Sequence, residues 1–106
     1  MIENGYQRFD KYYHEMVRIR RFLHQYPEVS FKEFKTAKFI ADFYTKLGVE
    51  VRTNVGGNGV VATIQCTKPG KTVALRADFD ALPIQDEKKV PYKSKVPGVM
   101  HACGHD

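Results

Sequence analysis

"SFKEFKTAKFIADFYTKLGVEVRTNVGGNGVVATIQ", residues 30–65, contains the change of period that decides the fold. In its first half Phe34, Ala37, Ile40, Ala41, Tyr44 and Leu47 recur at three- and four-residue spacings, the stripe of an amphipathic helix. Ser30 and Glu33 stand just before it at S-x-x-E spacing. That spacing predicts a capping box, in which each side chain satisfies the other residue's free backbone N–H. Gly48 suits the cap at the far end. Beyond it the helical period is lost. Val49–Arg52 reads as a short extended run, VGGNG (55–59) as a turn-rich loop, and Val60–Gln65 as an apolar, β-branched strand.

Working outward, Tyr6, Phe9, Tyr13, Met16, Val17, Phe22 and Leu23 fall near a 3.6-residue period and predict one helix over residues 6–25. Pro27 ends it, because proline disfavours helical geometry in the residue before it. On the other side, Thr72–Ala77 is a third apolar, β-branched run. The intervening KPGK carries Pro69-Gly70, a pair suited to a hairpin turn. Leu82 to Asp106 has three prolines and little periodicity, and reads as a long connection across a sheet edge. Helix, helix, strand, strand, strand is an α/β order. Three strands are few, however, and Thr72–Ala77 is apolar enough to need cover on both faces. Residues 78–106 offer none. The expectation is the front part of a larger α/β domain.

The 106 residues allow one small domain. Apolar and aromatic contents of 42% and 12% belong to a globular chain, not a disordered one. The net charge of +5 is scattered and not gathered in one basic run. Nucleic acid is therefore not expected as a partner; such binding would be salt-sensitive. No apolar run approaches the roughly 20 residues of a membrane span, so no membrane partner is expected. The opening MIENGYQRFDKYY has no stretch resembling a secretory signal. Two cysteines, Cys66 and Cys103, make no disulfide framework. Together these favour a reducing cytoplasm, where a thiol is a ligand or nucleophile candidate before it is a bridge.

Two motifs could carry chemistry. In LRADFDALP (75–83) an apolar run leads into Asp78 and Asp80. Side chains two apart on extended backbone point the same way, and ligands of α/β sheets sit at the carboxyl ends of strands. Two acids there repel unless a cation compensates, and Arg76 shares their side if the strand stays regular. The plainer reading is that both acids cap a loop or a helix start. In HACGH (101–105), Cys103 as thiolate and His105 as neutral imidazole are good ligands for a borderline metal. The glycine between them lets the backbone approach closely. His101 can join them or hold a ligand in place. Most isolated Cys-x-His pairs are accidental, but carboxylates nearby strengthen this one, since a dinuclear site needs them. A nucleophilic Cys103 activated by His101 or His105 is the competing chemistry. No oxyanion hole is legible to support it.

Taken together, RRFLHQYPEVSFKE (20–33), VGGNGVVA (55–62), LRADFDALPIQDE (75–87) and GVMHACGHD (98–106) stand in an order that resembles the N-terminal part of the M20 metallopeptidase family, in its amidohydrolase branch. That branch includes N-acyl-amino-acid amidohydrolases, hippurate hydrolases and plant auxin-conjugate hydrolases. The likeness runs over nearly all of the chain from about Arg20 onward. It implies a zinc-aminopeptidase-like α/β/α catalytic domain of which residues 1–106 form the N-terminal, incomplete portion. A smaller lid or dimerisation domain is expected to come later.

The resemblance further implies hydrolysis of the amide bond of an N-acyl amino acid, a small-molecule substrate, and two divalent metal ions, with zinc, manganese, cobalt or nickel all suited to such donors. A homodimer is compatible with it. Cys103 and His105 match metal ligands, and Asp80 matches an aspartate that steadies a ligand. Asp78, where other branches have a metal-binding histidine, is carried over only as near the site, as are His101 and Asp106. His24 and Glu28 receive a packing or capping role. Phe79, Asn58 and Asp86 depart from the usual methionine, threonine and glutamate. In full-length members the general-base glutamate and further ligands lie beyond the position of Asp106, so the 106 residues alone are expected to be inactive. The alternative is a non-catalytic metal-binding or interaction module built on the same front half.

Overall fold

The computed structural model describes residues 5–106. Its elements are α1 (Gly5–Asp10), α2 (Tyr13–Gln25), α3 (Phe34–Lys46), β1 (Glu50–Val55) and β2 (Gly59–Thr63). The α/β class and the order of the first elements agree with the sequence reading. The helix expected over 6–25 is divided at Lys11–Tyr12, a break that no glycine or proline marks.

α3 begins later than the capping-box spacing suggests, and it is capped differently. Ser30 and Glu33 do not bond each other's backbone. Instead, the Glu28 carboxylate accepts the N–H groups of Lys35 (3.2 Å) and Thr36 (2.6 Å) and the Thr36 hydroxyl (2.7 Å). This places an anion at the helix N-terminus, where unpaired donors and the helix dipole favour it. Glu33 turns elsewhere: Oε1 accepts the Phe31 N–H and Oε2 the Asn58 amide, tying the α2–α3 loop to the hairpin turn. Burial is the largest single influence on the Glu33 carboxyl and would raise its pKa. The Asn58 amide and the N–H groups of Glu33 and Phe31 outweigh it and hold the group below its ordinary value. Gly48, at φ +75°, closes α3 in the left-handed conformation expected of it.

β1 and β2 form an antiparallel hairpin pairing Val51 with Ala62 and Arg52 with Val61, with a register irregularity between Arg52 and Val55. Asn54, at φ +58°, sits in that irregularity. Gly59 is required by contact: a Cβ there would lie 2.3 Å from the Val55 carbonyl oxygen. α3 packs on both strands, and the Phe22–Phe39 ring pair, 5.0 Å between centroids, joins α2 to α3.

The third strand expected at Thr72–Ala77 does not form, and neither does its hairpin at Pro69-Gly70. The run has no regular secondary structure and no strand beside it among the described residues. A strand exists only by pairing, so apolar β-branched sequence is not sufficient. Val73 and Leu75 are left 83% and 98% exposed. β2 also stops at Thr63, short of the expected Gln65. Residues 82–106 are the expected long connection, stitched by an isolated antiparallel bridge between Leu82 and Met100.

The apolar core is thin. Ala41 and Ala81 are its buried members among the described residues, beside buried His24, Glu33, Thr36 and Asp86. The accessible surface is 9178 Å², against roughly 6,000 Å² for a compact monomer of this length. These elements thus leave much apolar surface open, Val73, Leu75 and Ile64 among it. No helix among the described residues is long and apolar enough to cross a membrane.

Candidate metal centre

The α2–α3 loop and the segment after the exposed run meet through backbone bonds. Val29 and Ala81 form a parallel bridge, and the Ala81 N–H donates to the Glu28 carbonyl at 2.8 Å. This seats Asp80 against the loop, where the Ser30 hydroxyl donates to its Oδ2 at 2.5 Å. The following residue, Phe31, holds φ +66° with its side chain 83% exposed. A left-handed non-glycine residue costs on the order of 1 kcal/mol, so the turn that presents Ser30 is sustained by its bonds and not by local preference.

Asp78, Asp80, His101, Cys103, His105 and Asp106 all line one open cleft of about 600 Å³, together with Arg76. Six residues singled out from the sequence therefore share one site. Asp78 pairs with Arg76 at 2.7 Å, the compensation the two acids need, although both groups are well exposed and such a pair adds little stability. Cys103 Sγ lies 3.6 Å from His105 Nδ1. Bonds of about 2.3 Å to sulfur and about 2.0–2.1 Å to nitrogen at a tetrahedral angle would separate the two donors by about 3.6 Å. The pair therefore fits one ion. The Asp106 N–H donates to the Cys103 carbonyl at 3.1 Å and closes the turn that brings the donors together. Asp106 itself accepts from Arg20 of α2 at 2.7 Å. Among the described residues no group of three His, Cys, Asp or Glu converges on one point. Two donors leave about two of the four positions zinc prefers to other groups.

His101 is half-buried and stands behind the donors. Burial lowers its pKa most, while the charges of Asp106 and Asp80 and a bond to the Asp80 backbone act in the opposite direction. Its Nε2 is buried without a partner, as is His24 Nδ1, and the two rings are 6.4 Å apart. His24 Nε2 in turn lies 3.1 Å from Asp86 Oδ2 and 3.0 Å from Lys88 Nζ. The Asp86 carboxylate also accepts the Ser94 and Lys88 backbone N–H groups, at 3.0 Å each. The Ser94 N–H is the largest cause of its strongly lowered pKa. Sequence reading assigned His24 a packing role and saw in Asp86 only a departure from glutamate. It missed Arg20 and Ser30. Their partners lie 86 and 50 positions away, and no local pattern signals such pairs.

A thiol, an imidazole and carboxylates gathered in one cleft are a donor set suited to a divalent metal ion. Residues 74–106 match the model of peptidase family M20/M25/M40. Over 94% of its length the chain is 69% identical to a Bacillus subtilis (strain 168) protein named as an amidohydrolase, YhaA. It is 56% identical over 86% of its length to thermostable carboxypeptidase 1 of Saccharolobus solfataricus. It is 48% identical over 87% of its length to N-acetyl-L-cysteine deacetylase of Bacillus subtilis.

Two crystal structures superpose closely. One is of an aminohydrolase from methicillin resistant Staphylococcus aureus, with TM-score 0.88 and 54% identity, covering 93% of this chain and 26% of that one. The other is YXEP of Bacillus subtilis, described as a dinuclear metal binding peptidase of the M20 family, with TM-score 0.82 and 40% identity, covering 91% and 27%. The family to which these likenesses point is peptidase family M20. It spans about a quarter of the length of the curated relatives it matches: 25% of YhaA, 23% of the carboxypeptidase and 22% of the deacetylase.

Proposed function

We propose that residues 1–106 are the N-terminal portion of the catalytic domain of a metal-dependent amidohydrolase that cleaves the amide bond of N-acyl amino acids in the cytoplasm. The observation that carries this reading is the Cys103–His105 donor pair, 3.6 Å apart, in one cleft with Asp78 and Asp80. The deacetylase and carboxypeptidase names of relatives support it, because both reactions break an acyl–nitrogen bond and release an amino acid.

Hydrolysis adds the hydroxyl of water to the acyl carbon and a proton to the departing amine. Divalent ions, when bound, supply Lewis-acid polarisation of the carbonyl and a lowered pKa for water. Zinc, manganese, cobalt and nickel all suit a mixed set of thiolate, imidazole and carboxylate. Cys103 and His105 would hold such an ion through sulfur and ring nitrogen. Asp80 orients a ligand through a carboxylate that is itself held in place. Arg76 offsets the negative charge of Asp78. The proton of water needs a base. Glu28 caps α3 and Glu33 bonds Phe31 and Asn58, so neither carboxylate is free for that role as placed.

The test uses the complete gene product, purified, stripped with a chelator and reloaded separately with Zn²⁺, Mn²⁺, Co²⁺ or Ni²⁺. It is assayed on N-acetyl and N-benzoyl amino acids. Metal-dependent release of free amino acid supports the reading; full activity in the stripped protein, or none with any metal on any substrate, overturns it. The same assay separates a second reading, a non-catalytic metal-binding module built on the Cys103–His105 pair. Stoichiometric metal binding without turnover identifies that case.

A further inference from the structure

We infer that Ser30 is a positioning residue of the metal centre, acting through Asp80. The inference rests on the proposed metal-hydrolase reading and extends it to a residue outside the cleft lining.

The geometry is direct. Ser30 Oγ donates to Asp80 Oδ2 at 2.5 Å across 50 positions of sequence. A carboxylate on a short side chain can swing about its terminal torsion, which is broad and roughly two-fold. A hydroxyl bound to one oxygen stops that rotation and presents the other oxygen, Oδ1, in one orientation. A carboxylate that supports an imidazole ligand works only when its orientation is fixed, because that orientation sets the ring's tautomer and direction.

The surroundings point the same way. The backbone on either side of the contact is clamped independently, by the Val29–Ala81 bridge and the Ala81 N–H to Glu28 carbonyl bond. The loop and the segment would therefore stay together without the hydroxyl. The serine bond is thus redundant as a tether, and its particular effect falls on the side chain of Asp80. The turn is also shaped to deliver it: Phe31 takes the left-handed φ of +66°, held by the Glu33 carboxylate on its N–H.

The test compares Ser30→Ala and Ser30→Thr with the unaltered, complete protein. Each is titrated with Co²⁺ and followed by its visible absorption; thermal unfolding is recorded, and kcat and KM are determined separately. Ser30→Ala is expected to weaken Co²⁺ binding about 10-fold or more and to lower kcat about 10- to 100-fold, the range typical of groups that orient metal ligands. KM should stay within about two-fold. Ser30→Thr, which keeps a hydroxyl at the same place, should recover most of both losses.

Unchanged Co²⁺ affinity and kcat in Ser30→Ala overturn the inference. So do equal losses in the alanine and threonine variants that follow a lowered melting temperature, since a tether would behave that way. If the unaltered protein hydrolyses no N-acyl amino acid, the Co²⁺ titration decides alone: weakened binding in Ser30→Ala supports the positioning role although the substrate reading has failed, and unchanged binding removes it. An unaltered protein that takes up no Co²⁺ overturns both.

Discussion

His24 Nε2 lies 3.1 Å from Asp86 Oδ2 although 62 positions separate the residues, and both side chains are closed off from solvent. Around this contact the last turn of α2 is joined to the segment that runs on to the donor pair. Lys95 donates its N–H to the Gln25 carbonyl, Arg21 stacks on the Tyr92 ring, and Arg20 reaches Asp106. α2 therefore acts as a spine along which residues 86–106 are fastened.

Asp86→Asn should lower the melting temperature of the complete protein markedly, because it removes the charge that the Ser94 and Lys88 N–H groups, His24 and Lys88 Nζ all address. The pH dependence follows from the sign of the shift. The Ser94 and Lys88 N–H groups hold the folded pKa well below the ordinary carboxylate range. Asp86 thus contributes stability that is fully present above about pH 4 and is lost as pH falls through the folded value. Thermal melts from pH 7 downward should show the two proteins converging only in acid. A constant gap across that range would assign the loss to packing and not to charge.

Cys103→Ala and His105→Ala should each weaken Co²⁺ or Zn²⁺ binding by at least about 100-fold, since each removes a ligand and not only its support. The visible signature of thiolate bound to Co²⁺ should vanish in the cysteine variant alone. Binding should weaken as pH falls, because protons compete for thiolate and imidazole. Retention of that signature in Cys103→Ala would place the thiolate ligand elsewhere, for example at exposed Cys66.

Glu28→Ala should destabilise the protein by about 1 kcal/mol, the usual cost of removing a helix N-terminal cap. Glu28→Gln keeps an acceptor for the Thr36 N–H and should lose less. Urea denaturation at constant slope measures both. Equal midpoints for all three proteins would mean that the first turn of α3 is satisfied without this carboxylate.

Val73→Thr combined with Leu75→Lys should reduce self-association of the isolated 106-residue chain several-fold, as read by sedimentation velocity. The two side chains are among the most exposed apolar groups in the structure and lie on an unpaired run, the kind of segment that recruits strands from other chains. Association unaffected by the pair of changes would locate the sticky surface elsewhere, for example on the exposed Tyr6, Phe9, Tyr13 and Met16 of the first two helices.

Features encoded by local chemistry are legible in the order of the residues. The apolar stripe of α3, the left-handed Gly48 after it, the VGGNG turn of the hairpin and the two-residue spacing of Cys103 and His105 each depend on neighbours a few positions away. They are found where the pattern places them except at the ends of the stripe, where Phe34 and Leu47 are left 65% and 63% exposed. Tertiary structure alone decided which partners each side chain takes. The capping-box spacing of Ser30 and Glu33 is a sound local signal, yet Glu28 took the helix N-terminus, Ser30 went to Asp80 and Glu33 to Asn58. Thr72–Ala77 has the composition of a strand and remained unpaired, because a strand is completed by another strand and not by its own residues. Hydrophobic period and turn preference act between neighbours in sequence. Hydrogen-bond and strand partners are chosen across tens of residues, after the chain has brought every competing donor, acceptor and edge into reach.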